Sequence, residues 1–227
     1  RAGRVVGTGV AKILLEQENL LTERTGVQFR LKTVVDLNWE NKRGLNLEGI
    51  RTTTNFEELI DDPEIEVMIE TMGGIEPACS FVMSALAARK HVVTANKALI
   101  ALRGKELLEK ARECGVQLLF EASVGGGIPI IKSLKEGLIA NKILRIYGII
   151  NGTSNYILTK MHQEGLDFSA ALLEAQAKGF AEADPTLDVG GGDAAHKLTI
   201  LASLASGGFV DFNAIPVEGI TELTTLD

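Results

Sequence analysis

Residues 66–94 read EVMIETMGGIEPACSFVMSALAARKHVVT. Glu66 to Thr71 is a strand-length apolar run, and Pro77 suits the first turn of a helix whose apolar residues extend from Phe81 to Leu86. His91-Val92-Val93-Thr94 then reads as a short buried strand. A strand, a helix and a second strand in so little chain make a crossover unit, the connection that parallel strands require. On the C-terminal side, a helix is expected over roughly Gly104 to Cys114, with Gly115 placed to cap it and Val116 to Phe120 as the next strand. On the N-terminal side, Val27, Phe29, Leu31, Thr33 and Val35 alternate with Gln28, Arg30, Lys32 and Val34, which predicts a strand ending at Asp36. A charged loop with Asn41, Lys42 and Arg43, a short helix near Phe56 to Ile60 and a turn at Asp61-Asp62-Pro63 fill the interval.

At the start of the chain Val6, Val10, Ile13 and Leu14 recur at helical spacing, and Val5-Val6-Gly7-Thr8-Gly9-Val10 reads as the turn that opens this helix. A strand is expected ahead of such a turn. Strands alternating with helices specify an α/β fold with a parallel sheet. After Glu121 the pattern changes to a glycine run, a helix from Pro129, a strand near Ile143 to Ile150, and helices around Tyr156, Leu172 and Leu198. Two domains are therefore expected, residues 1–125 and 126–227.

The bulk properties narrow the function. With 45% hydrophobic and 23% charged residues the chain has the composition of a globular protein. A net charge of -7 argues against a general nucleic-acid partner, which needs a basic surface. The uncharged stretch Leu198 to Val210 is too short to cross a bilayer, and no signal-peptide core is present. Cys79 and Cys114 lack the spacing of a metal knuckle or redox pair, and reduced thiols agree with a cytoplasmic location.

Several segments carry candidate chemistry. The Val5 to Val10 turn is read either as a pyrophosphate cradle that includes Val6 and Gly7, or as a plain turn. Asp36 stands where a ribose-binding acid would stand, while Lys42 and Arg43 are placed to meet an extra phosphate. Glu70-Thr71-Met72-Gly73-Gly74 and Thr94-Ala95-Asn96-Lys97 each follow a strand, at the edge where open α/β sheets bind ligands, so a cofactor contact is expected there. Glu121-Ala122-Ser123-Val124-Gly125-Gly126-Gly127-Ile128-Pro129 offers one carboxylate among exposed carbonyls, which suits a hard cation or simply a hinge.

The densest signal runs from Ala175 to Lys197. Glu182, Asp184 and Asp188 lie in a loop bounded by Gly179 and by Gly190-Gly191-Gly192, and Asp193 and Lys197 follow the triplet. Asp193 and Lys197 are one helical turn apart, with the acid on the N-terminal side where pairing and the helix dipole both favour it. His196, His91 and His162 lack metal partners in register and read as structural.

These residues resemble the homoserine dehydrogenase family. The resemblance is carried by Ala175 to Lys197 without a gap, by the Val6 to Val10 segment, Thr94-Ala95-Asn96-Lys97, Glu121 to Pro129, and Asn151-Gly152-Thr153-Ser154-Asn155-Tyr156. It implies a Rossmann-type cofactor domain followed by an α+β substrate and dimerisation domain, NADP or NAD as cofactor, a homodimer, and a small amino-acid substrate. The implied activity interconverts L-aspartate 4-semialdehyde and L-homoserine, a step toward threonine, methionine and isoleucine. Lys197 would be the proton donor, Asp193 its partner and Lys97 a second essential lysine. Glu182, Asp188, Gly152 and Thr153 would meet substrate, and Val6, Gly7, Thr71, Met72, Gly73, Thr94 and Lys97 the cofactor. A sodium ion would sit on Glu121, Val124, Gly126 and Ile128. Departures are Phe180, where some relatives have tyrosine, and the expected first strand and first glycines. Members of the family also continue past the equivalent of Val217-Glu218-Gly219-Ile220. Rival readings are another amino-acid or hydroxy-acid dehydrogenase on this fold, or a nucleotide-sensing module without chemistry.

Overall fold

The chain falls into two units, Arg1–Phe120 and Glu121–Asp227. The computed structural model describes residues 2–38, 44–224, 226 and 227. Lys42 and Arg43, the expected contacts to an extra phosphate, lie outside the described residues.

The first unit carries α1 (Ala2–Glu16), α2 (Glu18–Thr25), β1 (Thr33–Val35), β2 (Arg51–Thr53), α3 (Glu57–Ile60), β3 (Val67–Glu70), α4 (Ala78–Ala87), β4 (His91–Thr94), α5 (Lys97–Cys114) and β5 (Leu118–Leu119). β3, β4 and β5 form a parallel sheet in that order, with Val67 opposite His91, Glu70 opposite Thr94 and Val92 opposite Leu118. Side chains alternate across a strand, and here Met68, Glu70, Val92, Thr94 and Leu118 turn to the buried side. Val82, Leu86, Leu99 and Leu107 of the crossover helices α4 and α5 are fully buried. On the other side Val67, Ile69 and Leu119 stay exposed.

Two expectations change in this unit. The strand over Val27–Asp36 shrinks to β1, which pairs in parallel with β2, because a ladder is only as long as its partner. The helix expected from Gly104 begins at Lys97, where the Asn96 side chain accepts from Leu99 N. That cap satisfies an amide that the first turn leaves without an intrahelical acceptor. Gly115 closes α5 in the left-handed region, as its position predicts.

The second unit carries α6 (Ile130–Lys132), which runs on into a π-helical turn at Ser133–Gly137, then α7 (Gly152–Glu164), α8 (Phe168–Ala177), α9 (Thr186–Val189) and α10 (Gly192–Ser206). Ile157 and Met161 make one stripe of α7, Ala171 and Ala175 one stripe of α8, each pair four residues apart. The small alanines let the two helices approach closely, and Ala181 and Val189 join the same core. Asn151 and Asp167 cap α7 and α8 by accepting from Ser154 N and Ala170 N.

The strand expected near Ile143–Ile150 is not formed, and the described residues of this unit contain no strand. Leu144, Tyr147 and Ile149 are largely exposed. Alternating apolar residues mark a strand only where another strand completes the ladder, and no described residue pairs with this segment. Among the described residues no helix is long and apolar enough to cross a membrane.

Candidate active site

The glycine triplet sets the start of α10. Gly191 has φ +82°, and a Cβ there would come within 2.9 Å of Val217 Cγ1 and 3.0 Å of Glu218 O. Only glycine holds this conformation without strain and lets the Val217–Glu218 segment lie against the helix start. The same contact is tied by Ile220 N, which donates to Val189 O at 2.8 Å. Asp193 follows in the first turn, where the helix dipole favours a negative charge.

One turn on, Lys197 Nζ donates to Asp193 Oδ2 at 2.6 Å and to Ile150 O at 2.6 Å. Side-chain exposure is 5% for Asp193 and 18% for Lys197, so the pair is mostly withdrawn from water. Asn151 completes the arrangement. Its Nδ2 donates to Asp193 Oδ2 at 2.8 Å and to Asp188 Oδ1 at 2.7 Å, while its Oδ1 accepts from Ser154 N.

Lys197, Asp193, Asp188 and Asn151 line an open cleft of roughly 660 Å³ with Gly152, Thr153, Asn155, Tyr156, Thr159, Gly179 and Phe180. One wall is the first turn of α7, where the Gly152 and Thr153 amides precede the first intrahelical bond and can serve an anion. Thr153 Oγ1 donates to Phe180 O at 2.7 Å, and the Tyr156 and Phe180 rings lie 4.7 Å apart. Ser154 Oγ donates to Asp188 O, which seats the acidic loop on α7. Behind Tyr156, its hydroxyl and Lys178 both donate to Glu174 Oε1. Lys178, then Tyr156, then Lys160 hold the Glu174 carboxyl down to about 2.

Not every expected substrate residue reaches the cleft. Glu182 is exposed and does not line it. Asp184 turns back on its own loop, accepting from the hydroxyl and amide of Thr186, which hold its carboxyl below the usual range. His196 is buried and stacks on Phe212, and His91 Nδ1 accepts from Gln117 N.

In the first unit the cofactor candidates gather at the carboxyl ends of β3 and β4. Buried Glu70 accepts from Met72 N at 2.6 Å, Gly73 N at 3.3 Å and Thr94 Oγ1. Thr94 Oγ1 in turn accepts from Asn96 N, and Asn96 Nδ2 donates to Gly74 O at 2.6 Å. The Thr94 hydroxyl and the Met72 and Gly73 amides therefore serve this internal network, leaving carbonyls and the exposed Met72 side chain for a ligand. Lys97 is half-buried at the first residue of α5. A cation there opposes the helix dipole, a broken local rule of the kind found at functional sites.

The turn expected at Val5–Val10 is corrected. Val6, Gly7 and Gly9 lie inside α1, so the Val6 and Gly7 amides belong to the helix and its first-turn donors fall at Ala2 to Arg4. The glycines of this segment allow either conformation, and in α1 local i to i−4 bonding prevails. Gly7 nevertheless adjoins the β3 edge, since a Cβ on it would lie 2.8 Å from Thr71 Oγ1. That absence of a side chain fits a close approach beside Thr71.

In the loop after β5, both Glu121 carboxylate oxygens accept main-chain amides, from Ile131 N at 2.9 Å and Lys132 N at 2.8 Å. Val124 is buried, Gly125 and Gly127 have positive φ, and Ile128 N donates to Gly125 O. One carboxylate and main-chain carbonyls make an all-oxygen donor set, which suits a hard cation. Among the described residues no cluster of three or more His, Cys, Asp or Glu side chains is arranged for a metal.

Comparison with known proteins follows the same division. Residues 3–121 match the family model "Homoserine dehydrogenase, NAD binding domain", and residues 129–227 match the model "Homoserine dehydrogenase". The chain belongs to the homoserine dehydrogenase family. It is 46% identical over 222 residues to the homoserine dehydrogenase of Bacillus subtilis, covering 98% of this chain and 51% of that protein. It superposes with a TM-score of 0.93 on the crystal structure of a homoserine dehydrogenase from Thiobacillus denitrificans, 48% identical, covering 98% of this chain and 51% of that one. A hyperthermophilic archaeal homoserine dehydrogenase in complex with NADPH superposes with a TM-score of 0.77 at 27% identity, over 95% of this chain and 70% of that one. The chain thus spans about half the length of the curated relatives it matches.

Within this homoserine dehydrogenase framework the structure brings together Lys197, Asp193, Asp188, Gly152 and Thr153, all expected from the sequence. Glu70, Asn96 and Asn151 stand in segments that the sequence marks, yet no role of their own was assigned to them. A signal for the two asparagines exists, since each stands directly before a helix at its N-cap position.

Proposed function

We propose that the chain carries cofactor- and substrate-binding parts of a homoserine dehydrogenase that interconverts L-aspartate 4-semialdehyde and L-homoserine. The observation that carries this reading is the Lys197 ammonium, held by Asp193 and the Ile150 carbonyl on the wall of an open cleft. Residues 1–125 serve the dinucleotide and 126–227 the substrate.

A reduced nicotinamide, when bound, supplies the hydride. As the new C–H bond forms at the aldehyde carbon, the carbonyl π pair moves onto oxygen, and Lys197 delivers the proton that makes the hydroxyl. A positioned acid of this kind contributes about a hundredfold to ten-thousandfold in rate. Asp193 keeps the ammonium in place. The substrate carboxylate is met by the first-turn amides of α7 at Gly152 and Thr153. Asp188 takes the substrate ammonium from the cleft wall, Glu182 is assigned to the same group from the exposed loop outside that cleft, and Lys97 acts as the second essential lysine.

NADP or NAD would be held by Val6, Gly7, Thr71, Met72, Gly73, Thr94 and Lys97. The fit rests on the missing side chain at Gly7 beside Thr71 and on the β3 and β4 carboxyl ends that Glu70 ties together. A sodium ion would take Glu121 and the carbonyls of Val124, Gly126 and Ile128, stiffening the loop ahead of α6. A cytoplasmic homodimer completes the reading.

The test is Lys197→Ala in the full-length protein. Reduction of L-aspartate 4-semialdehyde should fall by about a hundredfold or more, with NAD(P)H affinity nearly unchanged. Undiminished turnover refutes the role.

A further inference from the structure

We propose that Asn151 is a positioning residue that locks the Lys197–Asp193 pair to Asp188, so that the proton donor and a substrate contact are held as one unit. The inference rests on the reading above and deepens it. The residue is 8% exposed, and its side-chain amide is fully committed. Both Nδ2 hydrogens go to different aspartates, Asp188 and Asp193, and Oδ1 accepts from Ser154 N. The Asp193 oxygen that accepts from Asn151 is the same oxygen that accepts from Lys197. The carbonyl just before Asn151, that of Ile150, is the second acceptor of the Lys197 ammonium.

Residues 150 and 151 thus hold Lys197 twice, once directly and once through Asp193. A neutral amide is the side chain this position needs. It alone among residues of this size offers two donors to two carboxylates and still keeps an acceptor for the helix cap. An aspartate would cap α7 as well, yet it would face two carboxylates with no proton to share. Helix capping alone therefore predicts that Asp or Ser at 151 is tolerated, and positioning predicts that neither is.

The experiment compares wild type, Asn151→Asp and Asn151→Ser in the full-length protein. In both variants kcat for aldehyde reduction should fall about tenfold to hundredfold, with KM for NAD(P)H unchanged. The reactivity of Lys197 toward acetic anhydride, read by mass spectrometry against Lys160 and Lys178, should fall about threefold or more in Asn151→Asp, because an added carboxylate favours the ammonium form. Unchanged Lys197 labelling, or kcat within about twofold of wild type in either variant, overturns the proposal. If Asn151→Asp does not fold, the kcat and KM of Asn151→Ser decide. A wild-type protein without turnover refutes the proposed activity and leaves the labelling result to judge Asn151 independently.

Discussion

Lys197 Nζ and Asp193 Oδ2 lie 2.6 Å apart across one turn of α10, and the aspartate is the more deeply buried partner. Breaking the pair from the acid side leaves a mostly buried ammonium on the neutral Ile150 carbonyl and strands one Asn151 hydrogen. Asp193→Ala should therefore cost about 3 kcal/mol of unfolding free energy in a denaturant titration. It should also lower kcat. A variant with wild-type stability would show that the pair is screened by water.

Glu182 is exposed, so its removal disturbs no packing. Glu182→Ala should raise KM for L-aspartate 4-semialdehyde about tenfold while kcat stays within about twofold, the pattern of a lost ground-state contact. Steady-state kinetics at saturating cofactor decide it. An unchanged KM removes Glu182 from the substrate site.

At Gly191 the backbone and the neighbours both forbid a side chain. Gly191→Ala should destabilise the fold by about 1–3 kcal/mol, since a left-handed residue and a close contact are both strained. Gly208→Ala, where a Cβ meets nothing within 4 Å, is the control and should shift stability by less than about 0.5 kcal/mol. Equal midpoints for the two would disprove the crowding at Val217 and Glu218.

The Glu174 carboxyl is lowered from its ordinary 4.5 to about 2, through Lys178 first and then Tyr156 and Lys160. A depressed acid stabilises the fold fully above its unfolded value and loses that contribution as pH falls through the folded value. The Lys178 ammonium is raised, chiefly by Glu174, so its share is present below the ordinary lysine value and lost only in strong alkali. Thermal midpoints should therefore drop between pH 4.5 and 2 more steeply in wild type than in Glu174→Gln. Both side chains are partly solvent-exposed, so high salt should shrink the difference. Parallel curves at low salt would show that the cluster contributes nothing.

Much of this architecture is local and was legible. His91–Thr94 is the strand its apolar run predicts, Gly115 ends α5 where a left-handed cap belongs, and Asp193 meets Lys197 because residues four apart share a helix face. What failed was also instructive. Val5–Val10 has the glycines of a turn and adopts a helix, and Ile143–Ile150 has the alternation of a strand without a described partner.

Residue order settles what near neighbours decide: caps, helical faces, and the acidic loop between Gly179 and Gly192. Spatial folding alone brought Asn151 to Asp188 and Asp193, 37 and 42 positions away, and set Glu70 beneath Thr94. Hydrogen bonds between distant segments depend on how helices and strands pack, and periodicity along one segment carries no record of which partner that packing will supply.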